Sequence, residues 1–245
     1  MSRFDVIAFD ADDTLWHTER LYAEAQIRFK NLLARYHDPE WIEARLNEAE
    51  LRNLQHFGYG IKAFALSMIE TAIDLTEGRI AGSDLKTIID SAKEMLAADV
   101  ELLEHVADTI ATVSRTYQLM LITKGDLHDQ ESKIARSGLA RHFQQIEIVS
   151  DKRRENYSAV LNQHHIEPER FLMVGNSLRS DILPVLSLGA SAVYIPYPVT
   201  WVQEVADPPS GQPGFYELEH LGLLPGLLAE LERSENQSNS PESEN

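Results

Sequence analysis

The chain of 245 residues contains no cysteine. Disulfide bonds, a thiolate nucleophile and a zinc site built on cysteine are therefore excluded. The sequence also lacks an apolar run long enough to span a bilayer, and its N-terminus leads into a strand-like segment without a signal-peptide pattern. We therefore expect a cytoplasmic protein with no membrane partner.

Positive charge is scarce as well. The 22 lysines and arginines are outnumbered by 39 aspartates and glutamates, which gives a formal net charge of −17 at pH 7. A protein that binds the backbone of nucleic acid needs a basic face, so we expect no nucleic-acid partner. A small phosphorylated molecule is compatible with this charge, because a metal ion and a few local donors can outweigh the global field.

Short strand-like runs alternate with helical patterns beyond about residue 100. Alternation of this kind is typical of right-handed βαβ units and predicts a parallel sheet in an α/β fold. Residues 17 to about 100 contain almost no strand signal and show several amphipathic helical stretches instead. The predicted strands lie near residues 4–9, 118–122, 145–149, 171–174 and 191–195, and the later helices near 101–115, 127–137, 154–164 and 178–188.

The most informative stretch is Asp10-Ala11-Asp12-Asp13-Thr14, directly after the apolar residues 6–9. Carboxylates are costly to place at the end of a buried strand. That end faces the ligand crevice of an α/β sheet, and paired carboxylates there suit a hard divalent cation. A plain strand end that leads into a polar loop also fits this stretch, so the motif alone does not decide the function.

Three further motifs follow in order along the chain. The apolar run 119–122 ends at Thr123 and Lys124, Lys152 comes just after the run 146–149, and the run 171–174 leads into Gly175 and on to Asp181. Together with the first motif they resemble the four motifs of the haloacid-dehalogenase-like (HAD) hydrolase superfamily, and they span residues 4 to 181.

Two residues depart from the superfamily's pattern. Asn176 stands where the fourth motif has its first aspartate, and an asparagine oxygen can bind a metal ion but brings no charge. Asp13 replaces a glycine that is common in the first motif, and we interpret it as a loop residue.

The resemblance implies a three-layer Rossmann-like parallel sheet core with a type 1 α-helical cap inserted after strand 1, over the catalytic crevice. Residues 1–16 and 101–232 would form the core and residues 17–100 the cap. The alternative, in which these helices extend the core, offers them no strand to pack on. Residues 233–245 contain no apolar side chain and are expected to form a disordered tail.

The resemblance also implies catalytic roles. Asp10 would be the nucleophile that forms an aspartyl-phosphate, and Asp12 the general acid and base. Thr123, the backbone N–H of Lys124 and the ammonium group of Lys152 would bind the phosphoryl group. Thr123 fits a helix cap equally well, and Lys152 opens a charged Lys-Arg-Arg run whose arginines are alternative cations.

A magnesium ion is the implied cofactor. Asp10, Asp12, Asn176 and Asp181 would form its site, since Mg²⁺ prefers oxygen ligands. For Asp181 three roles remain open: it would ligate the ion directly, hold a metal-bound water or orient Lys152.

The turn His56-Phe57-Gly58-Tyr59-Gly60 joins two predicted cap helices. Its glycines allow a tight and mobile turn, and His56 and Tyr59 offer donors to a substrate. An ordinary connection between helices is an equally good interpretation of this turn.

We predict a Mg-dependent phosphatase that acts on a small phosphorylated metabolite, as a monomer or homodimer. Phosphomutases keep both aspartates and are the closest enzymatic alternative. Dehalogenases typically lack the second aspartate, and so do phosphonatases, so Asp12 argues against both. Phosphonatases use a Schiff-base lysine in the cap, and Lys62 leaves that function possible. A catalytically silent HAD-like binding protein is least favoured, because all four motif positions are occupied.

Overall fold

The structure is a computed structural model that describes residues 2–238. Within this range the strands are β1 (Val6–Phe9), β2 (Gln118–Lys124), β3 (Gln145–Val149), β4 (Phe171–Gly175), β5 (Ser191–Tyr194) and β6 (Phe215–Glu217). They form one parallel six-stranded sheet in the order β3-β2-β1-β4-β5-β6. The predicted α/β fold class is confirmed. The sequence did not reveal β6, because three residues are too short to show an alternating pattern.

Parallel strands must be joined by long crossover connections, and helices provide most of these connections here. Between β1 and β2 lie α1 (Glu19–Leu33), α2 (Pro39–Phe57), α3 (Ile61–Leu75) and α4 (Gly82–Ala97). The later helices are α5 (Val106–Val113), α6 (Leu127–Ser137), α7 (Arg154–Gln163), α8 (Leu183–Leu186) and α9 (Leu224–Ser238). Among the described residues, no helix is long and apolar enough to cross a membrane.

The end of the chain differs from the prediction. Helix α9 continues to Ser238, so residues 233–238 are helical where a disordered tail was expected. Residues 239–245 lie outside the described residues. The absence of apolar side chains was a poor guide here, because the earlier turns of the helix bury Leu224 and Leu228 and the polar turns continue the same backbone pattern.

Contacts divide the chain into two units. The core unit comprises Met1–His17, Glu101–Thr123 and Ser137–Asn245, and the helical unit comprises Thr18–Val100 and Lys124–Arg136. The predicted division at residues 16/17 and 100/101 lies within one residue of these limits. It differs in assigning the segment Lys124–Arg136 to the core.

That segment is attached to the helical unit by polar contacts. Lys62 Nζ lies 2.9 Å from Asp126 Oδ1, and Arg136 Nη1 donates to the carbonyl oxygen of Ala98 at 2.6 Å. Neither contact is visible in a sequence pattern, because each joins residues that are far apart along the chain.

The centre of the sheet is apolar on both faces. Strands β1 and β4 are buried throughout, as expected for parallel strands that helices cover on both sides. The register pairs Phe9 with Leu121 and with Val174. The carboxyl ends of β1, β2 and β4 therefore meet at one edge of the sheet, where the predicted motifs begin.

The helical unit has its own apolar core, built from the inward faces of α1 to α4. Helix α2 shows why the sequence predicts its start so well. The Asp38 side chain accepts the N–H of Trp41 at 2.8 Å, and Pro39 occupies the first turn, where its missing N–H costs nothing. The buried residues are Ala25, Phe29, Leu33, Ile42, Leu46, Ile61, Phe64, Met68, Ala72, Ile88, Ala92 and Met95.

Glu50 in α2 gives a stability prediction. Burial raises its pKa to about 7 from an ordinary value of 4.5, and its Oε2 has no hydrogen-bond partner among the described residues. Between these two pKa values the folded protein binds more protons than the unfolded chain, so this group makes stability fall as pH rises. Glu50→Gln should therefore raise the free energy of unfolding at about pH 8 by about 1–3 kcal/mol, and by less at about pH 5.

Urea denaturation at both pH values measures this difference. Glu24→Gln, at an exposed position of α1, is the matched control and should show no such pH-dependent gain. A Glu50→Gln gain that is equal at the two pH values would contradict the assignment.

Candidate active site

A lysine ammonium group lies between two carboxylates at the carboxyl edge of the sheet. Lys152, just after β3, donates from Nζ to Asp10 Oδ1 and, at 2.8 Å, to Asp181 Oδ1. All three side chains are buried. Charges removed from water are tolerated only when they are paired and hydrogen-bonded, and here the pairing is direct. The predicted nucleophile and the predicted phosphate-binding lysine are therefore in contact.

Asp181 is also held by the turn that carries it. The backbone N–H of Ser177 donates to Asp181 Oδ2 at 3.0 Å, and the N–H of Asp181 donates to the Ser177 carbonyl at 2.8 Å. One carboxylate oxygen thus faces Lys152 and the other faces the backbone. Of the three roles that the sequence left open, this geometry favours the orientation of Lys152. Direct ligation of a metal by Asp181 stays a prediction.

Gly175 ends β4 because Asp181 fills the space beside it. A Cβ atom at Gly175 would lie 2.3 Å from Asp181 Oδ2 and 2.4 Å from its Cγ, far inside contact distance. The glycine of the fourth motif is therefore explained by the close approach of a carboxylate and not by an unusual φ angle.

The loop after β1 turns sharply to place Asp12. Asp13 has φ 62°, in the left-handed region that favours glycine, and aspartate is among the residues that tolerate it. The N–H of Asp13 donates to the carbonyl of Trp16 at 2.7 Å, and the N–H of Leu15 donates to the carbonyl of Ala11 at 2.8 Å. The positive φ angle at this position therefore explains why glycine is common there in the superfamily.

Oxygen atoms from three residues converge beside Asp10. Thr14 Oγ1 donates to Asp10 Oδ2 at 3.2 Å and lies 3.1 Å from the amide of Asn176. With its NH₂ group turned inward, Asn176 reaches Asp10 Oδ2 and the backbone carbonyl of Asp12, each at 3.2 Å. A half-turn of the same amide presents its oxygen to that spot.

This donor set suits a hard cation such as Mg²⁺, although it does not rest on side-chain carboxylates alone. Among the described residues, no group of three or more His, Asp or Glu side chains is arranged to hold a metal ion. The set instead consists of Asp10 Oδ2, the backbone carbonyl of Asp12 and, after a half-turn of its amide, the oxygen of Asn176. The predicted metal residues Asp10, Asp12 and Asn176 are thus brought together.

The remaining predicted residues are divided between the units. Thr123 lies at the end of β2, buried at the same sheet edge as Asp10. Lys124 belongs to the helical unit, where its Nζ lies 4.2 Å from the centroid of the Tyr59 ring. The His56 ring lies against that of Phe57, at 6.2 Å between centroids. The substrate-binding roles of Lys124, His56 and Tyr59 stay predictions.

Comparison with known proteins agrees with this geometry. A sequence profile described as haloacid dehalogenase-like hydrolase matches residues 4–189. The chain belongs to the haloacid dehalogenase-like hydrolases. The matched segment includes Asp10, Lys152 and Asp181, whose contact the fold creates. A comparison with curated protein sequences found no match.

Solved structures of the same family superpose on nearly the whole chain. A haloacid dehalogenase-like family hydrolase from Xanthomonas campestris has 38% identity and a TM-score of 0.86, over 97% of this chain and 95% of that one. The HAD-hydrolase YfnB from Bacillus subtilis, solved bound to magnesium, has 19% identity and a TM-score of 0.65, over 93% and 100% of the chains. A 2-haloacid dehalogenase from Pseudomonas syringae has 20% identity and a TM-score of 0.62, over 93% and 99%.

Electrostatics in this HAD-like hydrolase depend on Lys152. Burial raises the pKa of Asp10 to about 7, with further increases from the charges of Asp181 and Asp12, while the Lys152 ammonium opposes the shift. Burial by itself lowers the pKa of Lys152, but the carboxylates of Asp10 and Asp181 raise it well above its usual value. Lys152 therefore remains a cation, and it favours the ionised form of Asp10 that nucleophilic attack requires.

Sequence reasoning missed several residues around the site. Thr14 was visible as the threonine of the first motif, yet its bond to Asp10 was not foreseen. Trp16 donates from its indole to Asp12 Oδ1 at 2.8 Å, and no sequence pattern signals this contact. Ser177 and Ser180 both donate from their hydroxyl groups to Glu204 Oε2, which fixes the turn that carries Asp181.

Gly175→Ala tests the close approach of Asp181. The new Cβ would overlap the Asp181 carboxylate, so either β4 or the buried ion pair must move. We expect the free energy of unfolding, measured with urea, to fall by about 1–3 kcal/mol. Gly226→Ala in α9 is the control, because nothing lies within 4 Å of its added Cβ. Equal stability of the Gly175→Ala variant and the unsubstituted protein would show that the site tolerates displacement of Asp181.

Proposed function

We propose that this hydrolase is a Mg-dependent phosphatase that acts on a small phosphorylated metabolite through an aspartyl-phosphate on Asp10. The observation that carries the proposal is the placement of Asp10: its Oδ1 accepts from Lys152 and its Oδ2 from Thr14. A carboxylate beside a fixed cation, which favours its ionised form, suits attack on a phosphoryl group, whose transition state spreads charge over its oxygens.

The reaction proceeds in two steps. First, a carboxylate oxygen of Asp10 bonds to phosphorus while the bond to the leaving-group oxygen breaks, and Asp12 gives its proton to that oxygen. Next, water attacks the phosphorus of the acyl phosphate while the bond from phosphorus to the Asp10 oxygen breaks. The water gives a proton to Asp12, which restores both carboxyl groups, and inorganic phosphate is released. Lys152 and Thr123 offer donors to the phosphoryl oxygens throughout, so the developing charge meets groups already in position.

Two observations support magnesium as the cofactor: the oxygen donors beside Asp10 and the magnesium ion in a structurally similar protein. Asp10 Oδ2, the carbonyl of Asp12 and the amide oxygen of Asn176 would hold the ion. When bound, the ion supplies positive charge that lets a phosphate dianion approach the carboxylates. The structurally similar YfnB from Bacillus subtilis was solved with bound magnesium, which favours the same cofactor in this chain.

A second carboxylate at Asp12 favours a phosphatase over a dehalogenase. Dehalogenases are among the similar folds, yet those solved from Pseudomonas syringae and Xanthobacter autotrophicus are 20% and 16% identical, so the likeness concerns the fold alone. Hydrolysis of a carbon–halogen bond releases an anion that needs no proton, whereas an alkoxide leaving group does. A carboxyl group two residues after the nucleophile fits the second requirement.

Recognition of the leaving group is assigned to the helical unit. Lys124 follows Thr123 directly in the chain, and its ammonium group lies over the Tyr59 ring. Lys62, three residues after Tyr59, forms an ion pair with Asp126, two residues after Lys124. These two contacts join the turn that contains His56 and Tyr59 to the segment that follows Thr123. They support a role for the turn in the choice of substrate.

The nucleophile assignment is tested by Asp10→Asn. The change keeps the shape of the side chain and removes its charge, so the variant should retain its fold and lose p-nitrophenyl phosphatase activity by more than about 100-fold, a barrier increase of about 2.7 kcal/mol. Asp13→Asn is the matched control, since asparagine tolerates the same positive φ and the residue takes no part in the proposed chemistry. Activity of Asp10→Asn above a tenth of that of the unsubstituted enzyme would rule out the covalent mechanism.

The metal assignment is tested by chelation and by Asn176→Asp. Activity should vanish with EDTA and return with Mg²⁺. The added carboxylate should lower the magnesium dissociation constant by about tenfold, the equivalent of 1.4 kcal/mol. Isothermal titration calorimetry with Mg²⁺ alone measures this constant. An unchanged constant in the variant would place Asn176 outside the ion's coordination sphere.

A further inference from the structure

The side chain of Trp16 is hydrogen-bonded to the carboxylate of Asp12. Trp16 is buried, and its indole N–H donates to Asp12 Oδ1 at 2.8 Å. A buried indole needs an acceptor, and a backbone carbonyl would satisfy that need at less cost than a carboxylate. The acceptor here is the residue that the proposed mechanism uses as acid and base.

The backbone around Trp16 is hydrogen-bonded to a segment that is distant in the sequence. Trp16 pairs with Asp12 on one side and with Leu102 on the other. The N–H of Leu103 donates to the carbonyl of Leu15, and the N–H of His17 donates to the carbonyl of Glu101, each at 3.0 Å. The indole is therefore anchored where the chain leaves and re-enters the core unit.

We propose that Trp16 is a positioning residue that holds the Asp12 carboxyl group in the orientation needed for proton transfer. This inference rests on the proposed phosphatase function. During the first step the indole stays bonded to Oδ1 while the proton leaves Oδ2 for the leaving-group oxygen. During the second step the attacking water returns a proton to Oδ2. Trp16 itself gains and loses nothing.

The expected signature of this role is a dependence on the leaving group. Asp12 matters most when the departing oxygen is a strong base, because a weakly basic phenolate leaves without a proton. Removal of the indole N–H should therefore harm poor leaving groups more than good ones. A residue that only supports the fold would affect all substrates by the same factor.

The experiment compares Trp16→Phe with the unsubstituted enzyme in the presence of Mg²⁺, using a series of substituted phenyl phosphates. We expect kcat/KM to fall by about tenfold for phenyl phosphate, the kinetic equivalent of one hydrogen bond, and by much less for p-nitrophenyl phosphate. Trp41→Phe, at an exposed position of α2, is the matched control and should leave the slope of log kcat/KM against leaving-group pKa unchanged.

A double-mutant cycle separates the two residues. In the Asp12→Asn background, Trp16→Phe should add no further leaving-group dependence, since the acid that it positions is absent. If Trp16→Phe does not fold, benzothienylalanine at position 16 removes only the N–H and keeps the shape of the ring system. Equal losses for all leaving groups, in either variant, would overturn this inference and leave the phosphatase function standing. Failure of the unsubstituted enzyme to hydrolyse any aryl phosphate would overturn the proposed function, and this inference with it.

Discussion

The ion pair of Lys152 with Asp10 and Asp181 is the contact on which the rest of the site depends. Its members come from three separate segments, after β1, after β3 and after β4, and all are buried. Burial would drive an isolated carboxyl group to its neutral form, and a neutral Asp10 could not act as a nucleophile. The lysine opposes this shift, and its own charge is in turn retained by the two carboxylates. Each charge is acceptable only because the others are present.

The backbone around this ion pair is shaped to admit it. The absence of a side chain at Gly175 leaves room for the Asp181 carboxylate. The left-handed conformation of Asp13 lets the loop after β1 turn back. Thr14 and Asn176 then bring polar atoms to the second oxygen of Asp10. A left-handed backbone conformation at Asp13 and a close approach at Gly175 therefore both occur where the chemistry is proposed.

The net charge of the chain bears on the proposal that this hydrolase acts on a phosphorylated substrate. A net charge of −17 repels a phosphate at long range, but salt screens exposed charges within about 10 Å. Inside the site, the fixed cation of Lys152 and a metal ion held by the oxygen donors would supply the positive charge that the proposed substrate needs. Trp16 adds a neutral donor that orients Asp12 without changing the charge of the site.

The sequence by itself determined the order of strands and helices, the helical insertion and the identity of Asp10, Asp12, Lys152 and Asp181 as candidates. The elements follow from local patterns, which are apolar runs that end in polar residues and helical periodicity over long segments. The candidate residues follow from the resemblance of the four motifs to those of the HAD superfamily. It could not show β6, whose three residues carry no periodic signal, or the helical end at Ser238.

Only the tertiary structure decided which candidates touch. The choice of Lys152 over its two neighbouring arginines, the steric reason for Gly175 and the bond between Trp16 and Asp12 all join atoms through space. The grouping of Lys124–Arg136 with the helical unit has the same origin, since its contacts, among them an ion pair and a hydrogen bond, are to residues distant in the sequence. A sequence records which residues are present along one dimension, whereas contact energies depend on distances that the whole fold sets.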